Sequence, residues 1–459
     1  MNERTGPTTA ARPRHRGLAA LGIIVLTVAA CGGGGASGSP DASASSVPAS
    51  GSPSDAPIET PAGVTGAIEF FGWDVGDLTT GLGKGFESAR VAFQDANPDV
   101  EVSFDAVPFA DFVSAATTRA RAGELGDVVE MLPGQNHAPV FEALTPTTQA
   151  DWGELGSALT GWAGGVIDPA DPTTVAGVPI GGQGVIWYYN KALFEQAGLD
   201  PATPPTTWAE FTAAADALKA AGITPVAASG VDSFLAWWAW SSFSPQYFPN
   251  PEDVLGVTSG DIPLTDPRVL QSLRPIAEMF EAGYWNADYA DKAFTDMESA
   301  FINGDVAMIP GIITSIVNWK VWDEKMGADA YGVFGAPKRD DAIGDGQFFN
   351  PTLIYGVNAA SENPDAAKAF IAFLASKEGQ EILLKDSGQF PNRGDIDLQS
   401  TVGSTGAAAI QAVIDDRGAS DVIQNQFSAA AQGEAFQKLT QAIVSGDLEG
   451  FLSGLQAQQ

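Results

Sequence analysis

Histidine and cysteine, the side chains used most often as bases, nucleophiles and metal ligands, are scarce in this chain of 459 residues. The chain has one cysteine, Cys31, and two histidines, His15 and His137. His15 falls in the leader described below, so serine–histidine or cysteine–histidine catalysis would need His137, and a metal site built from several histidines is excluded. His137 lies in a loop bounded by glycine and proline, where an exposed or cleft-edge position is favoured over catalysis.

A cluster of aromatic residues is the second group with chemical potential. Five of them fall within ten positions: Phe234, Trp237, Trp238, Trp240 and Phe243. At helical spacing they cover more than one face, which is typical of a buried helix. Three neighbouring indoles are nevertheless hard to bury completely, since each N–H needs a hydrogen-bond partner. The alternatives are therefore core packing and a place in a binding cleft, with Trp237 or Trp238 favoured over Trp240 for the cleft.

Polar residues also follow two predicted strands. Residues 67–71 and 127–132 read as strands, with helical and strand patterns between them. Such alternation favours a parallel sheet flanked by helices, whose ligands bind off the carboxyl ends of the strands. We therefore expect a binding site near Trp73-Asp74 and Gly134-Gln135.

The stretch from Val178 to Phe211 has the clearest element boundaries. Val178–Asn190 is rich in β-branched and aromatic residues and predicts a strand, and Lys191–Gln196 predicts a short helix. Prolines then force a turn. Thr207 and Glu210 form a capping box that begins a second helix.

Length and charge narrow the class of protein. The length favours two or three domains. With 23 basic and 56 acidic residues, the net charge is −33. Such a chain repels nucleic acid and anionic membrane surfaces, so no nucleic-acid partner is expected.

The first 63 residues read as a leader and a tether. Arginines precede an apolar run, Leu18 to Ala30, which is too short to span a bilayer and reads as a secretory signal. Val28-Ala29-Ala30-Cys31 resembles the lipobox of bacterial lipoproteins, which implies a lipid on Cys31; simple secretion is the alternative. The segment that follows is rich in Gly, Ser, Ala and Pro and predicts a flexible tether.

Several motifs together resemble a known family. Tyr189-Asn190-Lys191 leads into Pro205-Thr206-Thr207-Trp208, Asn97-Pro98-Asp99-Val100 opens an early strand, and residues 300–311 read as helix, turn and strand. In this pattern and order, the chain after about Ala67 resembles the extracellular solute-binding proteins of ABC importers, specifically the sugar-binding group known as family 1.

The resemblance implies an α/β fold with two lobes, each a mainly parallel sheet flanked by helices, and a ligand cleft between them. The implied organisation is a signal peptide at 1–30, a lipidated cysteine and tether at 31–63, a first lobe at 64–178 plus 336–390, and a second lobe at 179–335 plus 391–459. Chain crossings are expected near 177–182, 331–337 and 388–394, as hinge closure requires.

The family pattern also extends the set of candidate ligand-binding residues. The segment after Pro310 lines the cleft in relatives and often carries a tryptophan where this chain has Ile312, so Trp319 is considered as a substitute. The full candidate set is Trp73, Asp74, Gly134, Gln135, Trp237, Trp238, Gly311, Ile312 and Asn350.

By resemblance, the protein is expected to be a monomeric receptor, lipid-anchored at Cys31 on the outer face of the cell membrane. It would capture a neutral mono- or oligosaccharide and deliver it to the permease subunits of an ABC importer. Neither enzymatic activity nor a cofactor or metal is expected.

Two alternatives remain open. One is a receptor for a different solute, such as a polyol or a ferric ion held by Tyr188-Tyr189; strand alternation sends those two side chains to opposite faces, which favours packing. The other is an extracellular glycosidase or lyase that uses two carboxylates, although no spacing singles out a pair.

Overall fold

The computed structural model describes residues 63–79, 81–134, 138–168, 170–313 and 319–459, with only the backbone at 110, 138 and 350–352. The predicted signal peptide, Cys31, almost all of the predicted tether, His137 and Gln135 lie outside these ranges. Among the described residues, no helix is both long and apolar enough to cross a membrane.

Eleven strands are present in the described part of the chain. They are β1 (Gly66–Gly72), β2 (Val100–Ala106), β3 (Val128–Met131), β4 (Val166–Asp168), β5 (Asp171–Val175), β6 (Val178–Asn190), β7 (Thr224–Val226), β8 (Val306–Ile312), β9 (Tyr331–Phe334), β10 (Gln347–Val357) and β11 (Ala419–Ser420).

Seventeen α-helices accompany the strands in the same described ranges. They are α1 (Gly81–Ala96), α2 (Phe109–Ala122), α3 (Ala138–Phe141), α4 (Glu154–Ala158), α5 (Lys191–Gln196), α6 (Trp208–Ala220), α7 (Phe234–Phe243), α8 (Pro251–Ser259), α9 (Pro267–Glu281), α10 (Phe294–Asn303), α11 (Trp319–Met326), α12 (Pro364–Ala375), α13 (Lys377–Ser387), α14 (Leu398–Val402), α15 (Thr405–Arg417), α16 (Ala429–Ser445) and α17 (Leu448–Gln458).

The long strand β6 joins two halves of one mixed sheet. The order along the sheet is β2-β1-β3-β10-β6-β8-β7, with β11 on β10 and β9 on β6. Up to Gly184, β6 pairs antiparallel with β10. From Val185 onward it pairs instead with β8 and β9. The same strand therefore belongs to both halves.

The hydrophobic cores follow these halves. On one side, two clusters are built from β1, β3, the first part of β6 and the flanking helices, with Phe70 and Phe71 on opposite faces of β1. On the other side, a larger cluster contains the second part of β6, β8, α7 and the C-terminal helices. The α/β fold class predicted from the sequence is confirmed, as helices cover a sheet with parallel strands in each half.

Local element predictions agree closely with the structure. The strand at 178–190 and the helix at 191–196 have the predicted bounds. The Thr207–Glu210 capping box is formed at the start of α6. These elements depend on neighbouring residues, so their patterns carry enough information to place them.

The return toward the first core lies further along the chain than residues 331–337. Those residues form β9 and the loop after it, and β9 pairs with the second part of β6. Ala336 and Pro337 accept hydrogen bonds from Gln246, which lies between α7 and α8. The passage to the first core is made on β10. The predicted lobe boundaries stay a prediction.

Candidate functional site

The carboxyl ends of β1 and β3 bring two of the predicted loops to the same edge of the sheet. These strands are parallel and adjacent, with Phe71 opposite Val129. Glu130 on β3 accepts the backbone N–H groups of Trp73 at 2.8 Å and Asp74 at 3.3 Å. The loop after β1 is therefore tied to the strand that leads into Gly134.

Trp73 contributes an aromatic edge to this loop. Its partly exposed ring meets Phe109 and Phe112 edge-on, with centroid distances of 5.7 Å and 4.7 Å. Phe109 is 42% exposed, although large aromatic side chains are mostly buried. In the sequence, Phe109 is one residue of the helical pattern between the two predicted strands. Its place as the first residue of α2, just after the end of β2, was the signal that it shares this edge.

Asp74 and Glu130 form a carboxyl pair below the loop. Glu130 is fully buried, whereas Asp74 is partly exposed. Burial raises the pKa of Asp74 from 3.8 to about 7, despite its hydrogen bond with Glu130. Burial and the charge of Asp74 hold the pKa of Glu130 well above its ordinary value. The pair therefore retains protons to unusually high pH.

Gly134 lies where the loop after β3 touches the tail of the chain. Its φ of 85° is left-handed, and a Cβ here would collide with the backbone carbonyl of Asn425. Asn425 belongs to a 3-10 turn, Ile423–Gln426, whose Ile423 packs in the larger core. Gly134 thus marks a close approach between the two halves.

The structure buries both tryptophans considered for the cleft. Trp237 and Trp238 are 6% and 5% exposed. Trp237 packs against Phe427 and Phe436, and Trp238 against Phe234 and Phe294. Their role in stacking on a ligand stays a prediction, while Trp240 is fully buried with its indole N–H on Ser272 at 2.7 Å.

The remaining candidates lie at the junction of the halves. Gly311 and Ile312 form the end of β8 and pair with Ile186 and Val185 of β6. Asn350 on β10 pairs with Gln183, two residues earlier on β6. The backbone thus brings Ile312 and Asn350 to the same stretch of the crossing strand. Trp319 is buried and donates its indole N–H to the Gly388 carbonyl at 3.2 Å, which favours packing over ligand stacking.

Gln389 lies at the junction, within the third predicted crossing at 388–394. It is 2% exposed, and among the described residues neither Nε2 nor Oε1 has a hydrogen-bond partner. Its side chain lies against Gly181, where a Cβ would collide with the carboxamide. Glutamine is usually exposed, so the sequence gives no sign that Gln389 is buried.

Metal chemistry has little support in the described ranges. No group of three or more His, Cys, Asp or Glu side chains there is arranged to hold a metal ion. Tyr188 is buried edge-on against Trp322 at 4.1 Å. Tyr189 points elsewhere and donates its hydroxyl to the Pro201 carbonyl at 2.7 Å. The two phenols therefore do not converge on a common ligand.

Two cores joined by a shared strand, with candidate ligand loops at the strand ends near the junction, define a two-lobe binding protein. The chain belongs to the bacterial extracellular solute-binding proteins, since the model of that family matches residues 76–381, more than half of the chain.

A relative and two solved structures illustrate the similarity. The sn-glycerol-3-phosphate-binding periplasmic protein UgpB of Salmonella typhimurium is 25% identical over 251 residues, 52% of this chain and 55% of the relative. The chain thus spans about half the length of the curated relatives it matches.

A chitin oligosaccharide binding protein matches with a TM-score of 0.70 and 21% identity, over 86% of this chain and 98% of that one. RafE in complex with raffinose matches with a TM-score of 0.63 and 21% identity, over 86% and 98% of the two chains. At these identities the likeness shows the two-lobe fold. These relatives are binding proteins.

Proposed function

We propose that this protein is the receptor of an ABC importer and that it captures a neutral carbohydrate by closure of its two lobes. The observation that carries the proposal is the partly exposed Trp73–Phe109 pair beside the Asp74 carboxyl, at the sheet edge where such folds bind ligands. Aromatic faces suit the C–H faces of sugar rings, and carboxyl and amide groups suit their hydroxyls.

The proposed cleft is bounded by the loops of the first half and by the junction strands. We keep the predicted lobes, residues 64–178 plus 336–390 and residues 179–335 plus 391–459, but propose that the return to the first lobe is made on β10, so that β6 and β10 are the main crossings. The proposed ligand-contacting residues are Trp73, Asp74, Phe109, Gly134, Gln135, Gly311, Ile312 and Asn350, and Trp237 and Trp238 stay predicted contacts.

The segment before residue 64 would serve delivery to an importer. A lipid on Cys31 and a tether up to residue 63 would hold the receptor at the outer face of the cell membrane, near the permease subunits. We expect it to act as a monomer without a cofactor. Its net charge of −33 disfavours nucleic acid as a partner.

An anionic solute such as sn-glycerol 3-phosphate is the second candidate, because it is the ligand named for UgpB. The carboxyl pair of Asp74 and Glu130 disfavours it, since an ionised carboxylate beside a phosphate is repulsive. Arg393, a cation near the third crossing, is already paired with Asp395 at 2.8 Å. We therefore favour a neutral ligand.

Catalysis is also disfavoured by the geometry of the acidic pair. Glycosidases keep their two carboxyl groups roughly 5 to 9.5 Å apart, on either side of the bond they cleave. Asp74 and Glu130 are hydrogen-bonded to each other, and Glu130 is fully buried. This pair cannot flank a glycosidic bond, which supports binding without turnover.

Ligand titration tests the proposal. Calorimetry and tryptophan fluorescence on the protein from residue 32 onward, with raffinose, a chitin oligosaccharide, simple sugars and sn-glycerol 3-phosphate, should find a saturable carbohydrate. Phe109→Ala should then weaken binding about 10-fold, as expected for a lost aromatic contact. Val91→Ala, at a similarly exposed apolar residue on α1, is the matched control. Binding of the phosphate but of no sugar would overturn the proposal.

A further inference from the structure

Glu130 is placed to control the geometry of the loop after β1. Its Oε2 accepts two consecutive backbone N–H groups, those of Trp73 and Asp74. The carboxylate occupies the space above Gly72, where any Cβ would collide with it. The loop that presents Trp73 and Asp74 is therefore shaped around this one side chain.

The contact between Glu130 and Asp74 requires a proton. Two ionised carboxylates only accept hydrogen bonds, so a bond between them forms only when one is protonated. Glu130 has no exposed surface, while Asp74 is partly exposed, so the charge is better solvated on Asp74. Since Oε2 already accepts two N–H groups, Oε1 is the oxygen left to carry the proton.

Tyr355 on β10 faces the pair with its hydroxyl 3.4 Å from Glu130 Oε1, and burial together with the two carboxyls holds the pKa of that phenol well above its ordinary value. On the opposite face of the sheet, Arg119 lies over Phe71 and pairs with Asp105.

The helix α1, which covers the same face as the pair, carries four charged side chains. Glu87 and Arg90 pair with each other, and Lys84 and Asp95 are exposed. The charge state of the pair is thus set by its own two carboxyls and by burial.

We propose that Glu130 is a positioning residue that acts as a protonated acid: it holds the loop and donates a hydrogen bond to the Asp74 carboxylate, which in turn accepts hydroxyl groups of the ligand. This inference rests on the proposed function, since it assigns a ligand contact to Asp74. Ligand binding is then linked to protonation in the neutral range.

The direction of the pH dependence follows from which protonation state of Asp74 binds the ligand. Burial raises the pKa of Asp74 to about 7, so both carboxyls are largely protonated at pH 5.5. Ligand hydroxyls that donate to Asp74 favour its ionised form. Binding should release a proton near pH 6.5, and affinity should rise between pH 5.5 and pH 7.5.

Glutamine imitates a protonated glutamate, because its amide donates from one end and accepts at the other. Glu130→Gln should keep affinity for the tightest-binding sugar of the panel within about 3-fold at pH 7.5 and should keep the rise in affinity from pH 5.5, because Asp74 still titrates beside the amide. Glu130→Ala should lose about 10-fold or more at every pH, since the loop loses its anchor. Glu101→Gln, on the exposed face of β2, should behave as wild type.

The measurement is calorimetry at pH 5.5, 6.5 and 7.5 in buffers of different ionisation enthalpy. The inference is overturned if Glu130→Gln loses the rise in affinity with pH, or if it loses as much affinity as Glu130→Ala at every pH.

A measurement without ligand separates this inference from the proposed function. Burial and the charge of Asp74 hold the pKa of Glu130 well above its ordinary value of 4.5, so the folded state keeps a proton there that the unfolded state releases. This contribution to stability is full below pH 4.5 and declines as the pH rises; glutamine carries no such proton, and the contribution of Asp74 is common to both proteins. The urea midpoint of wild type relative to Glu130→Gln should therefore fall between pH 5 and pH 7.5. A difference in urea midpoint that does not change with pH would contradict the shared-proton model even if a sugar binds.

Discussion

At the scale of single residues, Gln389 has both ends of its side-chain amide buried and without a hydrogen-bond partner in the part of the chain that the structure describes. The side chain contacts Gly181 on the crossing strand. Gln380, a few residues earlier, is equally buried, but its Nε2 donates to the Asn392 side chain at 2.8 Å and its Oε1 accepts the Asn392 N–H at 3.0 Å. The two buried glutamines differ in whether their side-chain amides make hydrogen bonds.

This contrast gives a paired prediction. Gln389→Leu should raise the free energy of unfolding by about 1–3 kcal/mol, because it removes a buried amide without partners. Gln380→Leu should lower it by a similar amount, because the backbone N–H of Asn392 loses its acceptor. Urea denaturation of the three proteins measures both. Loss of stability in both variants would mean that Gln389 has partners in the folded protein.

At the scale of elements, α6 begins at the capping box that the sequence predicts. Thr207 accepts the Glu210 N–H at 3.3 Å, and Glu210 accepts the Thr206 and Thr207 N–H groups at 2.9 and 3.0 Å. Hydrogen bonds from Thr206 and Thr207 lower the pKa of Glu210 to about 2. The helix then buries Phe211 and Leu218 in the larger core.

Removal of the N-cap should be measurable. Thr207→Ala should lower the free energy of unfolding by about 1 kcal/mol, because an N–H at the start of the helix loses its acceptor. Thr118→Ala, at an exposed position inside α2, is the control and should be neutral within about 0.5 kcal/mol. Equal effects in urea denaturation would argue that the capping box contributes nothing specific.

At the scale of the whole molecule, β6 and β10 connect the two cores. Gly184 lies at the point where β6 leaves β10 and begins to pair with β8. A Cβ at Gly184 would collide with the Phe348 carbonyl of the partner strand. The close approach of the two backbones therefore depends on the absence of a side chain.

Gly184→Ala should destabilise the protein by about 1–3 kcal/mol, the usual cost of overpacking. Gly394→Ala is the matched control, because a Cβ there meets no atom within 4 Å. Thermal unfolding of both variants checks the prediction, and a Gly184→Ala protein as stable as the control would contradict the tight pairing at the crossing.

How much the sequence determined depends on the range of the interactions. The strand at 178–190, the helix at 191–196 and the start of α6 were predicted with correct bounds, because alternation, proline and capping act between near neighbours. The order of strands and helices was also enough for the α/β class. The family motifs were short and local in the same way.

Other features were decided only by the tertiary structure. Glu130 reads as an ordinary polar residue in a strand, yet it is buried and bonded to Trp73, 57 positions earlier in the chain. Trp237 is buried, although the aromatic pattern alone left both core packing and a place in the cleft open, and the exposure of Phe109 has no sign in the sequence. Burial and partners at such sequence separations arise when strands pair and helices pack, and no local pattern records which residues will meet.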